Sequence, residues 1–164
     1  DSASTMSVNI EHLPDEILVN ILSFLPQEEF ISLTTVSNRF DNLICDRLLI
    51  RDLDLRKTYS YNNEDFKRFF HHRGRCNNIK HINMNHVYWT KLPSFIVKLK
   101  NLESLHIFGT SLTFLQLKWI LNSCPKLCHM SISWPDDMQT VNKKQWVGGL
   151  SEVAENLQNL TSLR

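Results

Sequence analysis

The 164-residue sequence contains little glycine, little proline and no long apolar run. Four Gly and five Pro are too few for a collagen-like chain or a glycine-rich linker. The longest apolar stretches have only a few residues, whereas a membrane-spanning helix needs about 20. Residues 1–9 have neither a basic start nor an apolar stretch, so they predict a disordered tail and no secretory signal. With 42% apolar and 21% charged residues, the composition is that of an ordinary globular protein.

Cysteine is also scarce, with four residues at positions 45, 76, 124 and 128. Because no secretory signal is recognised, we expect these residues to be reduced thiols in the cytoplasm, the nucleus or both. Cys45 and Cys128 lie among apolar neighbours, as small core residues do. The cysteines therefore do not predict a disulfide framework.

Charge is distributed unevenly along the chain, although the formal net charge is only +1. Residues 10–56 contain nine acidic residues and four Arg, which gives a net charge of −5. Residues 57–100 contain nine basic and two acidic residues, which gives +7, and residues 101–164 are balanced. This change of sign predicts two modules that join near residue 56. The overall pI of 7.9 favours a solvated basic face, or a patch for an acidic partner, over nucleic-acid binding.

The first module begins with a helix that is apolar around most of its circumference, within residues 10–25. Pro14 suits the first turn of this helix, and Pro26 ends it. Two further helices are predicted, the last with its N-cap at Ser37 and continuing through Leu49. Three helices in about 40 residues make a shallow core. The apolar surface of the first helix must therefore be covered by the rest of the chain or by a partner.

The order of these residues resembles an F-box. The resemblance rests on Leu-Pro-Asp-Glu-Ile-Leu at 13–18, Ile-Leu-Ser-Phe-Leu-Pro at 21–26 and Val-Ser-Asn-Arg-Phe at 36–40. The chain departs from the family pattern in two places. It has Glu29-Phe30 where the family usually has Asp-Leu, and Leu49-Ile50 where the family commonly has a closing aromatic residue. The resemblance implies binding to the Skp adaptor and, through it, to the cullin of a Skp–cullin–F-box ubiquitin ligase. By position, the implied adaptor-binding residues are Leu13, Pro14, Ile17, Leu18, Ile21, Leu25, Leu33, Val36 and Phe40.

Short strand-like segments recur along the second module. They start at residues 53, 82, 105, 130 and 163, and similar residues introduce them, such as Cys-Asn-Asn-Ile at 76–79 and Leu-Lys-Asn-Leu at 99–102. Helical patterns over 63–73, 92–99, 114–121 and 147–157 fill most of the gaps, with Asn63 as the predicted cap of the first and Ser111 or Thr113 as that of the third. A strand and a helix in about 25 residues resemble a leucine-rich-repeat array covering 51–164. Residues 160–164 look like the start of a fifth strand, so we expect the array to be truncated at its C-terminus.

Together these resemblances imply an α+β or α/β solenoid. A three-helix F-box at 10–50 precedes about four to five right-handed strand–helix units at 51–164. Because side chains alternate along a strand, Leu105 and Ile107 point inward, whereas His106 and Phe108 point to the concave face. The predicted target-binding residues lie on this face or in a basic patch that assists it: Asn83, Asn85, His106, Phe108, Ser131, Ser133, Arg73 and Arg75.

The sequence contains no recognised motif for catalysis, metal binding or cofactor binding. The densest group of metal-ligand types is His71, His72, Cys76, His81 and His86, and its spacing matches no paired zinc motif. Neither a nucleophile elbow nor a phosphate loop is present. We therefore predict a non-catalytic chain with no metal and no cofactor, whose partners are proteins and neither nucleic acid nor membrane.

Three functions follow from these patterns. In the first, which we favour, the chain is the substrate-recognition subunit of the ligase, and the repeats bind a target protein for ubiquitination and proteasomal degradation. In the second, it is a scaffold that binds the adaptor without acting in ubiquitination. In the third, it is an enzyme that uses the histidine and cysteine cluster.

Overall fold

The computed structural model of the chain describes residues 10–58, 61–85, 87, 93–133 and 161–163. A 3-10 helix (Ile10–His12) precedes four short helices, α1 (Asp15–Leu22), α2 (Glu29–Leu33), α3 (Asn38–Leu43) and α4 (Arg47–Ile50). The strands that follow are β1 (Asp52–Asp54), β2 (His81–Asn83), β3 (Ser104–Ser111), β4 (His129–Ser133) and β5 (Ser162–Leu163). Helices α5 (Asn63–Phe69) and α6 (Arg73–Asn78) separate β1 from β2, a 3-10 helix (Ser94–Lys98) separates β2 from β3, and α7 (Phe114–Ser123) separates β3 from β4. The predicted N-terminal tail and the predicted helix at 147–157 lie outside the described residues.

The five strands form one parallel sheet in the order β1-β2-β3-β4-β5. Their register aligns Leu53, Ile82, Leu105, Met130 and Leu163 in one row across the sheet. These are the residues at which the sequence places the start of each recurring segment. The described residues thus contain a small parallel sheet flanked by several helices.

The same backbone hydrogen bonds recur just before each strand. The carbonyl oxygen of Arg51 accepts from the N–H groups of Lys80 and His81, both at 2.9 Å. One unit later, Lys80 accepts from Glu103 and Ser104 at 2.7 and 3.0 Å, and Glu103 then accepts from Cys128 and His129 at 2.9 and 3.0 Å. Equivalent positions therefore make equivalent bonds from β1 to β4, which aligns the beginnings of these strands.

Side-chain caps fix where several helices begin. Ser37 accepts a hydrogen bond from the N–H of Phe40, as the sequence predicts for α3. Of the two caps predicted for α7, Thr113 is the one that forms, in a capping box with Gln116. The cap of α5 is Asn62 instead of the predicted Asn63, because the Asn62 side chain reaches the N–H groups of the first turn.

Three predicted helices are shorter in the structure. The first starts at Asp15, and its upstream residues form a separate 3-10 helix. The third ends at Leu43, because Asp46 accepts from the N–H of Leu48 and begins α4. The helix predicted to continue to residue 73 ends at Phe69, and α6 starts a new helix at Arg73.

The buried side chains form one continuous cluster that extends from α1 to β4. Its centre is aromatic, with the rings of Phe70 and Phe95 stacked at a centroid distance of 3.7 Å and Phe66 beside Phe95. Truncating a buried Phe to Ala costs about 3–5 kcal/mol in typical cores, so these rings contribute strongly to stability. The change in charge near residue 56 therefore does not divide the hydrophobic core.

Candidate functional site

Helix α1 has a buried face and an exposed apolar face. Leu18, Val19 and Leu22 are buried in the core of the chain. Ile17 and Ile21, one helical turn apart, remain 46% and 38% exposed. An amphipathic surface helix normally turns polar residues to solvent, so this outer face is unusual.

The exposed apolar surface continues past the end of α1. Phe24 is 88% exposed and Leu25 is 38% exposed, in the turn that ends α1. The N–H groups of Phe24 and Leu25 donate to the carbonyl oxygens of Ile21 and Leu22. We refer to Ile17, Ile21, Phe24 and Leu25 as the apolar strip. Exposed apolar groups of this size at helical spacing are typical of a protein-binding surface.

Arg39 fixes the start of α1 against α3. Its guanidinium donates to Asp15 Oδ1 at 3.0 Å from Nε and at 2.5 Å from Nη2, and Nη2 also donates to the carbonyl oxygen of Leu13 at 2.6 Å. The F-box resemblance includes Arg39, but it does not indicate that Arg39 connects α3 to the start of α1. The bonds hold α1 in the orientation that presents the apolar strip.

The structure places the predicted adaptor-binding residues in three environments. Pro14, Ile17, Ile21, Leu25 and Val36 are exposed, and Leu13 and Leu33 are partly buried against the core. The prediction is wrong for Leu18 and Phe40, which are buried at 1% and 7% exposure within the chain itself. Phe24 and Leu48 are exposed apolar residues outside the predicted set, because the apolar pattern alone does not say which face the chain covers.

Gln27 links the N-terminal helices to the first strand. Its Nε2 donates to the carbonyl oxygens of Leu49 and Asp52, both at 2.9 Å, and its Oε1 accepts from the N–H of Asp54 at 2.7 Å. A hydrogen bond of 2.6 Å between Ser32 Oγ and Tyr61 Oη adds a second contact. Side chains as well as the shared core therefore join the two segments.

Arg75 is a buried structural residue. The prediction that Arg75 belongs to an exposed basic patch for target binding is therefore wrong. Its side chain is fully buried, and its guanidinium lies 4.4 Å from the centroid of the Phe69 ring. Nη2 donates to the carbonyl oxygen and to Oδ1 of Asp41, at 2.8 and 2.6 Å, and Nη1 donates to the carbonyl oxygen of Phe69. Arg75 therefore ties α6 to α3.

Polar side chains line the outer face of the sheet, as alternation predicts. Leu105 and Ile107 are buried, whereas His106 is partly exposed and Phe108 is 49% exposed. Asn83, Asn85 and Ser131 are also partly exposed, and Asn85 Oδ1 accepts from the N–H of Phe108 at 2.7 Å. Arg73 is exposed on α6 and lies outside this sheet. The side chain of Ser133 lies outside the described residues.

His106 belongs to a group of three histidines on this face. Its Nε2 is 3.1 Å from Ser104 Oγ, and His81 and His129 lie in register on either side of Ser104. Burial, together with the charges of His129 and His81, lowers the pKa of His106 from 6.5. Near neutral pH the outer face therefore presents a neutral imidazole at this position.

The lowered pKa of His106 predicts that stability decreases in mild acid. Below pH 6.5 the unfolded chain takes up a proton at this residue more readily than the folded chain does. The free energy of unfolding therefore decreases as the pH is lowered. In urea unfolding at pH 7.5 and 5.5, we expect His106→Gln to lose less stability between the two pH values than the wild type. Equal losses would show that other groups determine the pH dependence.

The described residues offer no metal centre and no membrane-spanning helix. No group of three or more His, Cys, Asp or Glu side chains among them is arranged to hold a metal ion. Burial raises the pKa of the Cys45 and Cys76 thiols and raises that of Cys124 to about 11, which opposes thiolate formation. In the same part of the chain, the helices are too short or too polar to cross a bilayer.

Comparison with known proteins identifies the N-terminal segment. Residues 10–56 match the family model described as F-box-like. No curated protein matches the chain. The chain therefore contains an F-box-like domain, and this domain carries the apolar strip. F-box domains generally bind the Skp adaptor in Skp–cullin–F-box ligases.

Proposed function

We propose that the chain is a substrate-recognition subunit of a Skp–cullin–F-box ubiquitin ligase. In this role the F-box-like domain binds the Skp adaptor, and the strand–helix units bind a target protein. The chain itself is non-catalytic, because ubiquitin transfer belongs to an enzyme held elsewhere in the assembly. The observation that carries the proposal is the apolar strip within the segment that matches the F-box-like family.

The exposure of the apolar strip supports adaptor binding. Burying apolar surface contributes about 25 cal/mol per Å², and aromatic residues often contribute the largest share of binding energy at interfaces. Phe24 offers such a residue, with Ile17 and Ile21 beside it on the outer face of α1. Arg39 and the buried face of α1 hold these groups in place before binding, which reduces the entropy lost on association.

The repeated geometry of the sheet supports a leucine-rich-repeat array. Aligned strand starts and identical backbone bonds occur from β1 to β4. Side chains also connect neighbouring units: Lys80 pairs with Glu103 at 2.5 Å, Asn101 donates to the carbonyl oxygen of Asn77 at 2.9 Å, and Lys126 donates to Asn101 Oδ1 at 2.7 Å. Each unit has too little apolar surface to fold alone, so stacking supplies its core.

The outer face of the sheet is the proposed target-binding surface. It combines an exposed aromatic ring, Phe108, with polar groups such as Asn83, His106 and Ser131 that offer donors and acceptors. An aromatic group surrounded by polar groups is a common arrangement at interfaces. The Phe108 backbone is positioned by Asn85, which links β3 to the segment after β2.

Affinity purification from cells treated with a proteasome inhibitor tests this function. We expect the wild-type chain to retain the Skp adaptor, a cullin and a target protein. Phe108→Ala should retain adaptor and cullin but lose the target, whose cellular half-life should lengthen. Recovery of the adaptor without a cullin would contradict the ligase role and support the scaffold function. Retention of every bound protein by Phe108→Ala would place the target-binding surface elsewhere.

A further inference from the structure

A cleft on the helical side of the molecule is lined mainly by basic groups. It has a volume of about 430 Å³ and is bordered by His71, Arg73, Cys76, Asn77 and Lys98. Arg73 begins α6, whereas Lys98 ends the 3-10 helix before β3, so two successive units contribute cations to one space. The sequence pattern groups Arg73 with Arg75, but the tertiary structure buries Arg75 and brings Lys98 to the cleft instead.

No acidic side chain lines this cleft among the described residues. The two acids of the basic segment 57–100 are already paired, Glu64 with Lys67 and Asp65 with Arg68. Asp41 is paired with the buried Arg75. The local positive charge of the cleft is therefore not neutralised by these carboxylates.

Cys76 adds no negative charge to the wall of the cleft. The thiol is buried and donates to the carbonyl oxygen of Phe70 at 3.2 Å. Burial raises the pKa of this thiol, and the positive charges of Lys98 and Arg75 oppose the rise. Lys98 lines the same cleft as Cys76, so its positive charge lies beside a neutral thiol.

We propose that this cleft binds a doubly charged oxyanion of the phosphate class. Arg73 supplies a planar guanidinium that donates in pairs to an oxyanion, and Lys98 supplies a compact second charge. His71 and Asn77 offer further donors at the rim. The site is separate from the apolar strip and from the outer face of the sheet, so it is a third binding surface in addition to these two.

Titration of the full chain with inorganic phosphate, followed by amide chemical shifts, tests this inference. We expect saturable shifts at Arg73, Asn77 and Lys98, and at least a tenfold weaker affinity in the Arg73→Ala/Lys98→Ala variant. A short peptide of Gly and Ala around one phosphoserine is titrated in parallel with its unphosphorylated counterpart. Tighter binding of the phosphopeptide than of inorganic phosphate would identify a protein side chain as the source of the oxyanion, and the reverse order would identify the free ion.

A control variant that removes the same number of positive charges elsewhere distinguishes a defined phosphate site from nonspecific electrostatic attraction of phosphate to the protein. Arg47→Ala/Lys57→Ala removes two exposed cations that do not line the cleft, and we expect it to bind phosphate as the wild type does. If both double variants weaken binding equally, or if wild-type shifts do not saturate, the proposed site is wrong. Amide spectra recorded without phosphate verify that each variant is folded.

Discussion

Replacing Ile17 and Phe24 together by Asp is expected to abolish binding of the Skp adaptor while the domain stays folded. Ile17 is 46% exposed and Phe24 is 88% exposed, and neither belongs to the buried core, so the substitutions leave the core intact. In a complex they would place two unpaired carboxylates in an apolar contact, where each uncompensated charge costs several kcal/mol. We expect titration calorimetry to show at least a 100-fold weaker affinity, equivalent to about 2.7 kcal/mol.

Leu115→Asp is the matched control for this experiment. Leu115 is an exposed apolar residue on helix α7, at 75% exposure, outside the F-box-like domain. This variant should bind the adaptor as the wild type does. Leu18→Asp makes a second comparison, since it should lower stability because Leu18 is in the core. Unchanged affinity in Ile17→Asp/Phe24→Asp would exclude the apolar strip as the adaptor-binding surface.

Replacing Arg75 by Ala is expected to lower the free energy of unfolding by about 3 kcal/mol, the lower end of the range for a broken buried ion pair, because the Asp41 side chain is 34% exposed. The substitution leaves the carbonyl oxygens of Phe69 and Asp41 without this donor and opens a cavity beside the Phe69 ring. Since Arg75 ties α6 to α3, the loss affects both the F-box-like domain and the first strand–helix unit. Urea denaturation followed by circular dichroism measures the change.

The comparison for Arg75→Ala is Arg68→Ala, which removes an exposed partner of Asp65. Ion pairs at the surface contribute about 0–1 kcal/mol, so this variant should lie within that range of the wild type. If the two variants lost similar stability, Arg75 would not connect the two segments in the way described.

The recurring strands were predictable because their signals are local. Alternation of side chains identified Leu105 and Ile107 as inward, and both are buried. The recurring apolar residue located all five strands, although each strand begins one residue before it, and the structure aligns these apolar residues in one row. Caps such as Ser37 and Thr113 were also visible, since a helix cap involves residues only two or three positions apart.

The interruptions between helices were less visible, because their caps compete with apolar patterns that extend beyond them. Residues 37–49 have a continuous helical pattern, yet Asp46 starts a separate helix by accepting from the N–H of Leu48. Residues 63–73 likewise form α5 and the beginning of α6. Local periodicity indicates the type of element more reliably than it indicates where an element ends.

The sequence by itself determined the types of element, the F-box resemblance of the N-terminal segment and the alternation of faces along each strand. Tertiary structure decided which face of α1 is covered, so that Leu18 is buried and Ile17 is exposed. It also separated Arg73 from Arg75, two residues apart in the sequence: Arg75 is buried against Asp41, whereas Arg73 lines a cleft together with Lys98. The reason is physical: helix and strand periods are set by neighbouring residues, whereas burial and ion pairing depend on groups that only folding brings together.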